Sequence, residues 1–353
     1  MNLTLHLTEN CNMDCTYCIR EKCPKDMTED VLFAACDLAF SKGQRAGLCF
    51  FGGEPLLKKD LIFKALDYCG EKSRKTGIIF DCKMTTNGSL LDEEFLERAV
   101  KANMGIGLSF DGKAQDICRI FAGGKPTSSV VEEKAKLLLR YMPEASALAT
   151  IAPQAVPYYA DSVKYLHELG FKHLSFVIAY GSKVNWTDDD LDALRLQLEE
   201  TCRYIKELFI NDDKIYVGPI FSKIGECIRD KNPAERCHLG VRQMPVTPDG
   251  SLYPCTSFIG DEYYLLGNVF EGINEEKVIE IAKRSSTPET CKDCALVKRC
   301  TNSCGCANRM NTGDENKVSP LQCTYERMLI EVSDALGEEL YQLDPERFAK
   351  VFG

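Results

Sequence analysis

At 353 residues, 44% hydrophobic and 27% charged, the chain is long enough for a barrel-sized core plus a small second domain. This composition excludes intrinsic disorder and fibrous repeats, and a net charge of −10, from 43 basic and 53 acidic residues, argues against a nucleic-acid partner. No apolar run approaches the roughly 20 residues of a membrane span and no secretion signal opens the chain, so a cytoplasmic protein with no membrane partner is expected.

The first strand is predicted at residues 3–8, LTLHLT, and the first helix at about 27–41. Strand-like runs at 47–51, 77–88, 105–112, 147–153 and 173–180 then alternate with amphipathic stretches after 57 and at 92–102, 128–141 and 158–169. This alternation of strand and helix implies a parallel sheet. Six strands are fewer than the eight of a closed barrel, so the expected fold is α/β, a partial (β/α)6 TIM-like barrel with its active site at the carboxyl ends of the strands. Residues 187–209 read as a long helix opened by the carboxylates of TDDD. Beyond Pro219 the periodicity weakens and Gly, Pro, Cys and Asn accumulate, as in a loop-rich module held by metal more than by apolar burial. A last helix is predicted near 323–341. The expected domains are a barrel at 1–186, a helical bridge at 187–236, a cysteine-rich iron-sulfur domain at 237–330, and a terminal helix and tail at 331–353.

Cysteine departs from the ordinary composition: there are 19, an odd number, in a chain without a secretion signal. Metal or cluster ligation is therefore favoured over a disulfide framework. Cys11, Cys15 and Cys18 follow the first strand directly. Three thiolates holding a 4Fe-4S cluster leave one iron open to a small molecule; Cys23 is a candidate fourth ligand, and a zinc site is the alternative.

In this segment, Cys11-NMD-Cys15-Thr16-Tyr17-Cys18, the chain resembles the radical S-adenosylmethionine (SAM) superfamily. The resemblance implies that the open iron chelates SAM and that one electron, from an external donor such as flavodoxin or ferredoxin, cleaves it to methionine and a 5′-deoxyadenosyl radical. It implies SAM contacts for Tyr17, for Gly52, Gly53, Glu54 and Pro55 at the methionine amine, for Asn87 in the segment TTNG, and for Ser109 and Asp111. Arg119 is a candidate for the SAM carboxylate, with a cap or turn at a strand–helix junction as the alternative for Asn87, Ser109 and Arg119.

Near the other end, Cys237, Gly250 and Cys255, then Cys291, Cys294, Cys300 and Cys304, and finally Cys323 resemble the SPASM domain. This twin-cluster extension occurs on radical SAM enzymes that modify peptides and proteins. The resemblance assigns auxiliary cluster II to Cys291, Cys294, Cys300 and Cys323, and auxiliary cluster I to Cys237, Cys255 and Cys304. The fourth ligand of cluster I is open between Cys227, the first candidate, Cys306, and an iron left free for a substrate thiol. The expected cofactors are thus SAM and three 4Fe-4S clusters. Cys36, Cys49, Cys69, Cys82, Cys118 and Cys202 lie in helix or strand patterns and are expected to be small buried hydrophobes.

The implied activity is oxidative modification of a peptide or protein, foremost a thioether between a cysteine sulfur and a carbon of a ribosomally made precursor. Formylglycine formation by an anaerobic sulfatase maturase, peptide epimerisation and carbon–carbon crosslinking are the alternatives; a noncatalytic electron carrier or zinc-binding module is the reading from another class. In sulfatase maturases an aspartate follows the cysteine of the YPC hairpin and serves as base, whereas here Thr256 follows Cys255. A hydroxyl does not take a proton near neutral pH as a carboxylate does. Asp261 and Glu262 stand as substitutes, and no base is assigned. With the first strand starting at Leu3, leader recognition is expected from a separate leader-binding protein, a sheet edge or the linker.

Overall fold

The computed structural model describes residues 1–228, 239–241, 243–284, 287–301 and 304–353. Six parallel strands follow one another in chain order: β1 Asn2–His6, β2 Arg45–Phe51, β3 Ile79–Thr86, β4 Gly105–Ser109, β5 Ser146–Ile151 and β6 His173–Ile178. The intervening helices are α1 Glu29–Phe40, α2 Lys59–Thr76, α3 Glu93–Lys101, the single turn α4 Gln115–Cys118, α5 Ser128–Tyr141 and α6 Tyr159–Leu169. Local chemistry starts several of these. The Thr28 hydroxyl accepts from Val31 N–H to cap α1, and the Asp92 carboxylate accepts from Phe95 N–H to cap α3.

The side-chain alternation of the strands assigns the two faces of the sheet. Leu3, Leu48 and Cys82 share one row, Leu5, Phe50 and Met84 the next, and all are buried. That this is the helix-covered face follows from Phe80 packing against Phe40 of α1 and Phe176 against Tyr159 of α6. The opposite, concave face carries Thr4, His6, Cys49, Phe51, Lys83, Thr85, Gly107, Ser109, Thr150, Ser175 and Val177. It is far less covered, and Val177 is 52% exposed. The helix-covered side is largely apolar, and the other side mixes polar residues with Phe51, Leu148 and Val177.

The sheet runs beyond the six expected strands. After the long helix α7 Asp188–Ile210, whose capping box pairs Thr187 with Asp190, the short strand β7 Tyr216–Gly218 joins β6 in parallel. At three residues β7 is too short to show a period. On the other edge, β8 Met244–Val246 pairs in parallel with β1, and the hairpin strands β9 Ser251–Leu252, β10 Gly267–Asn268 and β11 Gly272–Ile273 continue the same sheet. The cysteine-rich region thus grows from the edge of the barrel sheet.

Residues past Pro219 form α8 Ile220–Ile228, and the terminal region holds α9 Glu275–Arg284, α10 Gly305–Thr312, α11 Pro320–Leu343 and α12 Pro345–Phe352. The bridge and the terminal region are thus helical, with α11 covering the helix predicted near 323–341 and α9 and α10 adding to the loops expected there. Ser319 caps α11, with Pro320 in the first turn where its missing N–H costs nothing. Helix α11 packs on α7 and α8, burying Tyr325, Met328, Leu329, Val332 and Leu336, and so ties the end of the chain to the barrel.

Candidate active site

The loop carrying Cys11, Cys15 and Cys18 lies over the carboxyl ends of the strands and is fastened from several of them. Gly53 N–H donates to Thr8 O at 2.8 Å and Glu54 N–H to Asn10 O at 2.9 Å, from the loop after β2. A Cβ on Gly53 would stand 1.9 Å from Asn10 O, and one on Gly52, at φ +125°, 2.5 Å from Thr8 O. Only glycine lets these two backbones touch. From beyond β4, Asp14 N–H donates to Ile120 O at 2.7 Å and Thr16 N–H to Cys118 O at 2.9 Å. Lys183, after β6, donates to Cys18 O at 2.8 Å.

The glycines of the Gly-Gly-Glu-Pro segment thus serve the cysteine loop, and Glu54 has a structural task beyond the one its motif suggested. Its buried carboxylate accepts from Leu56 N–H at 3.0 Å, the Thr86 hydroxyl at 2.6 Å and Asn87 N–H at 2.8 Å. Burial pushes its pKa up to about 7 against these hydrogen bonds. Pro55 is buried behind it. Asn87 is held with its amide nitrogen 2.8 Å from Asn12 Oδ1 and 3.9 Å from Cys11 Sγ. Asn12, unnoticed in the sequence although it follows Cys11, is the hinge of this contact.

On the other flank of the cysteines, the Tyr17 hydroxyl donates to Asp111 Oδ2 at 2.8 Å, and Arg119 Nε forms an ion pair with the same oxygen at 2.9 Å. The guanidinium sits over the Tyr17 ring, 5.3 Å from its centre. Asp111 Oδ1 accepts from Thr150 N–H at 2.9 Å. Burial opposes the charge of Arg119, but Asp111, Tyr17 and Cys15 outweigh it, so its pKa is raised. Arg119 is therefore engaged inside the protein as a buried counterion, as well as standing near the site where a carboxylate was expected. Ser109 is half buried at the end of β4.

The three thiols fit a metal cluster by the chemistry of the donor set. Cys11 is raised and Cys15 pushed up to about 11, burial being the chief cause, with repulsion from the neighbouring thiols adding to it. Such a set ionises readily only with a positive partner.

In the carboxy-terminal region Cys291, Cys294, Cys300 and Cys323 line one cleft, floored by Leu296 and Ile330 and flanked by Glu326. Glu326 accepts from Thr301 N–H at 2.9 Å, next to Cys300, and pairs with the buried Lys223 at 2.9 Å. A second group of thiols brings Cys255 and Cys304 together on Cys306: Sγ–Sγ distances are 3.1 Å from Cys255 and 3.6 Å from Cys304. The one S–H of Cys306, donated to Cys255 or to Cys304, lowers the pKa of the thiol that accepts it. Cys237 lies outside the described residues. Cys227 does not join this group: its side chain is exposed near the end of α8, and its charge interaction is with Arg299. Cys23 is also elsewhere, its thiol donating to Glu9 at 2.7 Å. Cys36, Cys69, Cys82, Cys118 and Cys202 are buried, and Cys49 is half buried on the concave face. Asp261 is bonded to Arg309, and Glu262 is exposed.

A parallel partial barrel with a three-cysteine loop at its mouth and a cysteine-rich extension on its edge defines an iron-sulfur enzyme class. The Radical SAM superfamily model matches residues 5–153, and the SPASM iron-sulfur cluster-binding domain matches residues 237–295. The chain carries a radical SAM domain followed by a SPASM domain. It is 24% identical over 330 residues to the cysteine-type anaerobic sulfatase-maturating enzyme of Clostridium perfringens, covering 84% of this chain and 86% of that protein. An uncharacterized protein of Methanocaldococcus jannaschii is 31% identical over 177 residues, 50% of this chain and 61% of the archaeal protein. The structure of anSMEcpe with bound AdoMet and Cp18Cys peptide superposes with a TM-score of 0.81 at 24% identity, over 97% of this chain and 99% of that one. No described helix is long and apolar enough to cross a membrane.

Proposed function

We propose that this enzyme binds SAM at a cluster held by Cys11, Cys15 and Cys18 and oxidatively modifies a residue of a peptide or protein. The observation that carries the reading is the cysteine loop itself, set at the carboxyl ends of the strands and contacted by Asn87 on one side and the Tyr17–Asp111–Arg119 group on the other. When bound, SAM and the reduced cluster supply a radical strong enough to take hydrogen from an unactivated carbon. The chain's own work is to orient SAM with the loops after β2, β3 and β4, to present one substrate C–H from the concave face, and to exclude water. Cysteines 291, 294, 300 and 323, and the group around Cys255, would hold two auxiliary clusters as electron acceptors. A flavodoxin or ferredoxin would deliver the first electron.

A thioether is the first product to test. Thr256 replaces the carboxylate that formylglycine chemistry uses after the hairpin cysteine, and Asp261 is committed to Arg309. Similarity to sulfatase-maturating enzymes over 84% of the chain favours formylglycine as the second reading. Anaerobic incubation with SAM, dithionite and candidate cysteine-containing peptides tests both. A thioether appears as loss of a pair of hydrogens with the sulfur retained and no longer alkylated; formylglycine appears as a carbonyl captured by a hydrazide. Persistence of reductive SAM cleavage in Cys15→Ala would overturn the proposal.

A further inference from the structure

We infer that Cys306 is a ligand of auxiliary cluster I, together with Cys255 and Cys304. The inference rests on the cluster-bearing reading above and replaces the expectation that Cys227 fills this place. The Cys306 sulfur is 3.1 Å from that of Cys255, 51 residues away in sequence, and 3.6 Å from that of Cys304. Packing produces this meeting. Cys255 opens the short turn Thr256–Phe258 beyond the β8–β9 hairpin, Cys304 caps α10, and Cys306 lies in its first turn. Arg309, one turn further along α10, stacks 5.4 Å over Phe258 and bonds Asp261, clamping the two segments together.

The sulfurs form a row through Cys306, and among the described residues no three His, Cys, Asp or Glu side chains surround a single metal ion. A cubane cluster spreads its thiolates more widely than one ion does, so the three sulfurs would turn apart from this row to hold it.

The test uses the full chain with Cys11, Cys15 and Cys18 replaced by Ala, so that the readout is independent of SAM cleavage. Anaerobic reconstitution should load about eight iron atoms on this background. Adding Cys306→Ala should lower the iron or produce the oxidised-state EPR signal of a three-iron cluster, whereas Cys227→Ala should leave iron and spectra unchanged. Cys306→Ser, which preserves side-chain size, should shift the reduced-state EPR signal through oxygen ligation and guards against a folding defect in the Ala variant. Unchanged iron and spectra in both Cys306 variants, or an equal loss in Cys227→Ala, would overturn the assignment. A background binding no more than about four irons would overturn the two-cluster reading as well.

Discussion

The Glu54 carboxylate accepts the backbone N–H of Asn87 at 2.8 Å, so the loop after β2 carries the loop after β3. Because Glu54 N–H also donates to Asn10 O, one buried residue sets the position of Asn87 relative to Cys11. Its role in the molecule is that of a strut beneath the cysteine loop.

Glu54→Gln places an amide donor against one of three protein donors and should cost about 1–3 kcal/mol of stability. Burial raises the folded pKa of Glu54 above 4.5 to about 7, so its contribution is full below the unfolded value and falls as pH rises through that window. In thermal unfolding at a series of pH values, the advantage of wild type over Glu54→Gln should narrow between pH 4.5 and 7. A constant gap would refute the strut's titration.

Gly53→Ala drives a Cβ into Asn10 O and must displace the cysteine loop. The variant should lose about four iron atoms per chain, the complement of one cluster. Gly225→Ala, in the open interior of α8, should keep all its iron and gain about 0.5–1 kcal/mol. Equal iron in the two variants, measured after identical reconstitution, would contradict the close-approach argument.

His6 ends β1 fully buried, with both ring nitrogens lacking a hydrogen-bond partner and the ring edge-on to Phe51 at 5.3 Å. Burial, with a smaller effect of Arg20, lowers its pKa from 6.5 to about 3. A base with a depressed folded pKa contributes stability above its unfolded pKa and loses it as pH falls toward the folded one. His6→Leu should therefore become more stable than wild type as pH drops from 6.5 toward 3, as read by urea midpoints. A wild type as acid-resistant as the variant would exclude a dry imidazole.

Lys223, 2% exposed, pairs with Glu326 at 2.9 Å and donates to Arg299 O at 2.6 Å. Lys223→Met strands the Glu326 charge and should cost about 3–5 kcal/mol in denaturant titration. Lys223→Met combined with Glu326→Gln should regain most of that loss, because the amide oxygen still accepts from Thr301. No recovery in the double variant would locate the cost elsewhere.

Short apolar runs alternating with amphipathic stretches exposed β1 to β6, because a buried strand and a surface helix leave different apolar patterns. The cysteine spacing pointed to the three-thiol loop and to the cleft of Cys291, Cys294, Cys300 and Cys323. Strand β7 escaped notice because three residues carry too little period. The neighbourhood of Cys306 was one of several open possibilities, since nothing in a linear spacing tells which thiol meets Cys255.

By itself the sequence determined what depends on short range: strand period, helix caps, and thiols close enough along one loop to share a cluster. Only the tertiary structure decided that β8 extends the barrel sheet, that Glu54 turns inward to Thr86 and Asn87, that Arg119 settles on Asp111, and that Cys306 adjoins Cys255. Each of these joins segments far apart in the chain, and such contacts are selected by packing and by the need to satisfy buried polar groups, which no local pattern records.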